Sequence, residues 1–336
     1  MSSDYKYELM GAGNAVTDIL IQVDDQFLEQ SVGGERGGME LVDVDIIKSL
    51  LKAYAGQPTH APGGAAANTV RTAARLGVSS KFMGMLGKDP IGDDYIKSFS
   101  DYGCDISAFR RHDEMESGQC LSIITPDKQR TMRTYLGAAT ELAGAPMGVE
   151  DFEGCRTLYI EGYLLFNREL THTIVRLAKE AGCRIAMDLG SFEVVKASMD
   201  MLPAMLRDDV DIILANEDEA RAYSGSEDLE DSLNALAELC ECAVMKLGDE
   251  GAWIKADGEM IVVEPIPSPE LVDTTGAGDL WAAGFFYGMS CGLPYEHCGA
   301  IGSMLGSVAV SQVGTMIPDS KWKNLKADID TIISRS

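Results

Sequence analysis

From Thr157 to Leu247 the chain alternates short apolar runs with helical ones. Runs rich in β-branched and aliphatic residues predict strands over Thr157–Glu161, Arg184–Asp188, Val210–Ala215 and Ala243–Leu247. Between them, apolar residues spaced three and four apart predict helices over Glu169–Ala181, Phe192–Leu206, Glu217–Tyr223 and Leu229–Cys240. Strands separated by helices cannot be joined as hairpins. They must be crossed over in parallel, with helices covering the sheet. The constraint points to an α/β fold with a doubly wound, mostly parallel central sheet flanked by helices.

The same rhythm holds earlier, with a strand over Tyr7–Gly13, a helix over Asp45–Tyr54 and an alanine-rich helix over Ala65–Leu76 stopped by Gly77. Strand Lys81–Leu86 and helix Asp93–Tyr102, capped by Gly103, follow. Two stretches break it. Residues 19–43 carry the strand signal Ile19–Val23 and then Gly33, Gly34, Gly37 and Gly38, a pattern of strands and turns without helix. Residues 106–136 hold a strand pair, Gln119–Thr125 and Arg130–Tyr135, around the turn Pro126-Asp127-Lys128. Together these two pieces predict a small β-sheet lid inserted in a single domain spanning 1–336. The C-terminal third reads as strands Ala252–Lys255 and Met260–Glu264, then helices to about Met289, over Tyr295–Gln312 and over Ser320–Ser334.

Lys and Arg number 28 against 53 Asp and Glu, a formal net charge of −25. So acidic a chain repels nucleic acid and anionic membrane, which excludes both as partners. It does not exclude a nucleotide, which backbone N–H groups and Mg²⁺ can hold. The 8 cysteines are scattered, and the Cys240–Cys242 spacing matches no zinc or redox pattern. Reduced thiols and a polar N-terminus predict a cytoplasmic protein.

The chemistry concentrates in Asp273-Thr274-Thr275-Gly276-Ala277-Gly278-Asp279, small residues opening a helix. The first N–H groups of a helix lack internal partners and carry partial positive charge, which suits a phosphoryl group in flight. Asp279, in the first turn, can accept a proton from an attacking hydroxyl. Taken alone, Gly-Ala-Gly-Asp favours a mere capping carboxylate on a glycine-started helix. Gly11-Ala12-Gly13-Asn14-Ala15-Val16 begins like a dinucleotide fingerprint, but Val16 stands where its third glycine belongs. No G-x-x-x-x-G-K-[ST] string occurs.

DTTGAGD, continuing as LWAAGFFYG, closely resembles the C-terminal signature of the ribokinase-like (PfkB) carbohydrate and nucleoside kinases. Pro62–Gly77, PGGAAANTVRTAARLG, is similar to that family's N-terminal glycine pair and following helix. The resemblance runs from about Leu9 to Pro318. It implies a ribokinase-like fold and an ATP-dependent kinase that moves the γ-phosphate to a primary hydroxyl. Asp279 would be its catalytic base, and the backbone at Gly276, Ala277 and Gly278 would stabilise the phosphate. Asn216 and Glu219 match the family's Asn-x-x-Glu motif and would organise Mg²⁺ partly through water, with Asp188 assisting. Lys246, Gly248 and Gly251 would line the ATP, as would Ser303 and Ser307 in IGSMLGSVAVSQVG. Asp273 and Thr275 would join a monovalent cation such as K⁺.

On the acceptor side the resemblance implies binding by Asn14, Asp18, Gly63, Gly64 and Asn68, with Gly63-Gly64 as a hinge. Arg130 would clamp the moving phosphate, with Arg133 as its rival. The stretches GNAVTDI, TPDKQRTMRTYLGAA, LYIEGYLLF and CGAIGSMLGSVAV resemble adenosine kinases and their bacterial relatives. They favour a ribonucleoside acceptor over ribose or fructose. Phe27, Met39, Met132, Tyr135, Tyr163 and Phe166 are candidates for a base slot or for ordinary packing. A non-catalytic binding protein on the same fold is the alternative of another class. The lid could also pair two copies, so monomer and homodimer both stay open.

Overall fold

The structure is a computed structural model that describes residues 5–32, 36, 38–127 and 129–335. The turn glycines Gly33, Gly34 and Gly37, and Lys128, lie outside the described residues. The chain begins with β1 (Tyr7–Ala12), β2 (Val16–Gln22), α1 (Asp25–Ser31), β3 (Met39–Leu41), α2 (Val44–Ala53) and β4 (Thr59–Pro62). Then come α3 (Ala65–Leu76), β5 (Ser80–Gly87), α4 (Pro90–Ser100), β6 (Phe109–His112), β7 (Gly118–Ile124) and β8 (Arg130–Tyr135). The middle holds β9 (Cys155–Glu161), α5 (Arg168–Glu180), β10 (Arg184–Asp188), α6 (Phe192–Ser198), α7 (Leu202–Asp209) and β11 (Ile212–Asn216). It continues through α8 (Glu217–Ser224), α9 (Leu229–Ala237), β12 (Cys242–Lys246), β13 (Ala252–Ala256) and β14 (Glu259–Val263). Helices α10 (Ala277–Ser290), α11 (Tyr295–Ala309) and α12 (Asp319–Arg335) end it.

Among the described residues the larger sheet has the order β14-β13-β12-β11-β10-β9-β1-β5-β6. All its pairs are parallel except β12 with β13 and β13 with β14. Side chains alternate across it. Leu9, Phe82, Tyr159, Ile212, Leu214 and Val244 pack against α3, α4, α10, α11 and α12. Met10, Met83, Leu158, Ile160, Ile213 and Met245 pack against α5 to α9. Two apolar faces, each covered by helices, confirm the doubly wound architecture. Strand order reverses beside β1, which has β9 on one side and β5 on the other. The carboxyl ends of strands at such a reversal diverge and leave a crevice.

The smaller sheet has the order β3-β8-β7-β2-β4. Its Ile19, Ile21, Leu121 and Ile123 bury against Leu28 of α1 and Ile47 and Leu50 of α2. By the two-residue period of a strand, Asp18, Leu20, Cys120, Ser122, Met132 and Thr134 share the other face.

Several expectations need correction. Residues 19–43 include a helix, α1, because the Asp24 carboxylate accepts a hydrogen bond from the Phe27 N–H at 2.8 Å and caps it. Strand β6 lies at the edge of the larger sheet beside β5, although residues 106–136 had been expected wholly in the lid. Its place in the smaller sheet is taken by β4, which pairs with β2 through Thr17–Pro62 and Leu20–Thr59. The expected helix Phe192–Leu206 is two helices, since Pro203 sits in the first turn of α7 and has no N–H to continue from α6. Among the described residues every cysteine is free and no helix is long and apolar enough to cross a membrane.

Candidate functional site

The expected site residues of the larger sheet all lie at its carboxyl edge. Asn14 follows β1, Asp188 ends β10, Asn216 ends β11 and Lys246 ends β12. Across this edge lies the start of α10. Gly276 precedes it at φ 69°, a left-handed conformation that favours glycine, and no side chain caps the helix. A Cβ at Gly276 would stand 2.2 Å from Thr315 Cγ2, and one at Gly278 would stand 3.2 Å from Lys246 Nζ. Of the three backbone positions expected to receive phosphate, Ala277 already donates its N–H to Thr274 O at 3.2 Å.

Asp279 is half-buried, and Asn68 Nδ2 donates to its Oδ2 at 3.0 Å. Thr69 Oγ1 donates to its backbone oxygen at 3.0 Å. Helix α3 is thereby fastened to α10. Burial pushes the Asp279 carboxyl up to about 7, and the charges of Asp188 and Glu161 push the same way. The Asn68 hydrogen bond and Lys246 pull against them. A carboxylate held near neutrality is a competent proton acceptor.

Lys246 Nζ lies 2.6 Å from Asp188 Oδ2, and both groups are largely buried. Burial disfavours the Lys246 charge, but Asp188, Glu219 and Asp279 together raise its pKa. Asn216 and Glu219 cap α8 reciprocally. Asn216 Oδ1 accepts from Glu219 N at 2.9 Å, and Glu219 Oε2 accepts from Asn216 N at 2.9 Å. Asn216 Nδ2 also donates to Glu219 Oε1 at 2.8 Å. Burial and then the nearby Asp188 push Glu219 up to about 7. A carboxyl raised by burial and by the negative charge of a neighbouring carboxylate is what a dication relieves, so the donor chemistry fits Mg²⁺. Among the described residues no three acidic, His or Cys side chains converge as a metal site, so phosphate and water would supply the remaining ligands.

On the acceptor side, Gly63 lies against Asp18, where an added Cβ would stand 2.5 Å from the Asp18 carboxyl carbon. Gly64 is at φ 89°, and its Cβ would meet Asn14 O at 2.5 Å. Burial raises the Asp18 carboxyl to about 6, opposed by Arg130 and Arg71. Arg130 pairs with Asp273 at 2.5 Å. The same carboxylate accepts from Thr275 N at 3.0 Å and Gly314 N at 2.9 Å, so both oxygens of Asp273, which was expected with Thr275 at a monovalent cation, are engaged. Arg133, the rival clamp, shares its face with Leu121 and pairs with Glu40, away from Asp18.

On the nucleotide side, Gly248 faces open space, while a Cβ at Gly251 would stand 2.1 Å from Val263 O. Ser303 is buried with its Oγ unpartnered, and Ser307, one turn on, is half-buried. Of the six base-slot candidates, Phe27 stacks edge-on to Tyr54, and both Phe27 and Tyr135 pack into the core under the smaller sheet. Met39 and Met132 pair on the Asp18 face. Tyr163 is partly buried and Phe166 exposed. A cavity of about 470 Å³, lined by Asn234, Cys240 and Lys255 among others, lies at the amino end of β12, away from all of these.

Sequence reasoning missed Glu161. This buried carboxylate ends β9 and accepts from Asn14 N at 2.8 Å, Asn14 Nδ2 at 2.9 Å and Ala66 N at 2.9 Å. Asn14, expected to bind the acceptor, thus spends its amide on Glu161. An acidic residue closing an apolar strand, in LYIEG, was the available signal.

The pfkB family carbohydrate kinase profile matches residues 40–322. The chain is 28% identical to a ribokinase of Arabidopsis thaliana over 77% of this chain and 70% of that one. It is 25% identical to an adenosine kinase of Schizosaccharomyces pombe over 89% and 96%. Among solved structures it resembles an adenosine kinase from Sinorhizobium meliloti, with a TM-score of 0.84 and 31% identity over 97% of this chain and 99% of that one. With the ribokinase-like fold and the match across most of its length, the chain belongs to the pfkB carbohydrate kinase family and is a phosphotransferase.

Proposed function

We propose that this kinase transfers the γ-phosphate of ATP to a primary hydroxyl of a ribonucleoside, adenosine first, with Asp279 as the base. The observation that carries the reading is the start of α10, an uncapped glycine-led helix N-terminus beside a carboxylate held near neutrality. In-line transfer needs little more than positioning, a proton acceptor and electrostatic support for the phosphate. Asp279 takes the proton, and Gly276 to Gly278 and Lys246 face the phosphate. Mg²⁺ bound with ATP would neutralise phosphate charge near Asp188, Asn216 and Glu219. Asp18 accepts hydrogen bonds from acceptor hydroxyls. Arg130 exchanges Asp273 for the moving phosphate as the smaller sheet closes as the lid of one domain, hinged at Gly63-Gly64.

The acceptor class rests on two supports. The resemblance to adenosine kinases covers nearly the whole chain. Beyond Asp18, on the same face of the smaller sheet, the row Leu20, Ser122, Met132 and Met39 carries three apolar side chains and one small hydroxyl on which a base could lie, whereas a free sugar presents hydroxyls there. The test is ADP release from ATP and Mg²⁺ with a panel of nucleosides, ribose and fructose. The highest kcat/KM is expected with adenosine. Preference for a free sugar would replace the nucleoside reading, and silence with every acceptor would favour a non-catalytic binding protein.

A further inference from the structure

Arg71, on α3, is 1% exposed, yet among the described residues no carboxylate lies within ion-pair distance of it. Its Nη1 has no hydrogen-bond partner, and its guanidinium carbon lies 5.9 Å from the Phe99 ring centre. A buried unpaired cation is unfavourable for folding, so its position calls for a reason. Nη2 supplies one. It donates to Asn68 Oδ1 at 2.9 Å and to Thr315 Oγ1 at 3.2 Å. Thr315 Oγ1 in turn donates to the same Asn68 Oδ1 at 3.0 Å.

An arginine only donates, while a hydroxyl or a carboxamide can be turned either way. Arg71 therefore sets the direction of every bond that follows. Thr315, receiving from Arg71, must send its own proton to Asn68. The Asn68 oxygen, receiving two donors, must turn its NH₂ outward, and that NH₂ meets Asp279 Oδ2 at 3.0 Å. A flipped amide would set oxygen against carboxylate.

We propose that Arg71 is a positioning residue for phosphoryl transfer: as the donor-only head of the chain Arg71, Thr315, Asn68, Asp279, it occupies one Asp279 oxygen and leaves the other to take the acceptor proton. The proposal rests on Asp279 being the base. Arg71→Met is expected to lower kcat at least about tenfold while KM for ATP changes less than about twofold. Because Arg71 acts through Asn68, the double variant with Asn68→Ala should be no slower than Asn68→Ala alone, within about twofold. A guanidinium that only supported packing would give losses that multiply, and that result, or an unchanged kcat, overturns the proposal. If Arg71→Met does not fold, the near-isosteric Thr315→Val carries the same cycle, with a smaller loss of kcat.

A second readout needs no turnover. In ¹⁵N NMR spectra of the full chain, the Asn68 side-chain amide, identified by its absence in Asn68→Ala, should move as Asp279 titrates. The charged or titratable groups bearing on Asp279 are Asp188, Lys246, Glu161, Arg71, Tyr159 and Tyr163. Loss of that pH response in Arg71→Met or Thr315→Val supports the proposal, and an unaltered response defeats it. Should the wild-type chain release no ADP with any acceptor, the kinase reading fails while the amide signal still decides whether Arg71 sets the polarity.

Discussion

Helices α8 and α10 both start at the carboxyl edge of the larger sheet, and they treat their first turns in opposite ways. At α8 the Asn216 amide and Glu219 carboxylate satisfy the end of the helix between them. At α10 the leading residue is a left-handed glycine, and no side chain caps the turn. With glycine in that place, the missing side-chain cap forgoes only about a few tenths of a kcal/mol of stability. Glycine is also the one residue that fits, because Thr315 already occupies the space a Cβ would need. A helix end completed by its own side chains is built to stay shut. One left open beside a neutral-leaning carboxylate keeps N–H groups available for the phosphate proposed above. The start of α3 is intermediate: it too follows a glycine, but Glu161 already sits on its Ala66 N–H as a resident anion.

The largest effect should come at the open end. Asp279→Asn is expected to lower kcat by about 10²–10⁴-fold, with KM for ATP nearly unchanged, because the role proposed for the lost group is to accept a proton and not to hold the nucleotide. Steady-state rates of ADP release decide it, and a variant with near wild-type kcat breaks the contrast. Asp18→Ala should act on binding. Losing hydrogen bonds to a charged group, worth about 1.5–3 kcal/mol, predicts an acceptor KM raised about ten- to a hundredfold. An unchanged acceptor KM would remove Asp18 from the site.

Two stability measurements sharpen the comparison further. Gly276→Ala forces a Cβ against Thr315 in a left-handed turn, and urea unfolding should show a loss of about 1–3 kcal/mol. Asn216→Ala removes a cap, and should lose about 1 kcal/mol. If the glycine substitution proved the milder of the two, the open end of α10 would not be sterically required.

The larger sheet, its edge strand β6 apart, was legible because its strands and helices announce themselves through local periodicity, and strands crossed over by helices leave one architecture. The start of α10 was legible for the same reason, since small residues before an apolar helix have a local meaning. The smaller sheet was legible in part: β2, β7 and β8 were read from the residues, but its full membership was not. Strand β4 is four residues, its signal hidden before Pro62-Gly63, and β6 carries two arginines, so only pairing across the fold assigns either. Arg71 and Glu161 escaped for a related reason. Their roles consist of contacts to residues far along the chain, Thr315 and Asn14, which no spacing within a helix or strand encodes.

The smallest expected effect tests what the two helix starts have in common. Both hold a carboxyl at about 7, Glu219 at α8 and Asp279 at α10, each raised first by burial. Between their ordinary values and about 7 the folded chain binds protons that the unfolded chain has released. Stability therefore falls as pH rises across that window. Asp18 at about 6 and the raised Glu161 act in the same direction, while a carboxyl such as Asp105, lowered to about 2, titrates well below it. The melting temperature of the ligand-free chain should decline from about pH 5 to about pH 8. Asp279→Asn and Glu219→Gln should each flatten that decline; Gln can keep the backbone contact with Asn216 N but gives up acceptance from Asn216 Nδ2. A melting temperature that rises with pH over this range, or slopes identical in wild type and variants, would mean that neither carboxyl is strained by its place at the sheet edge.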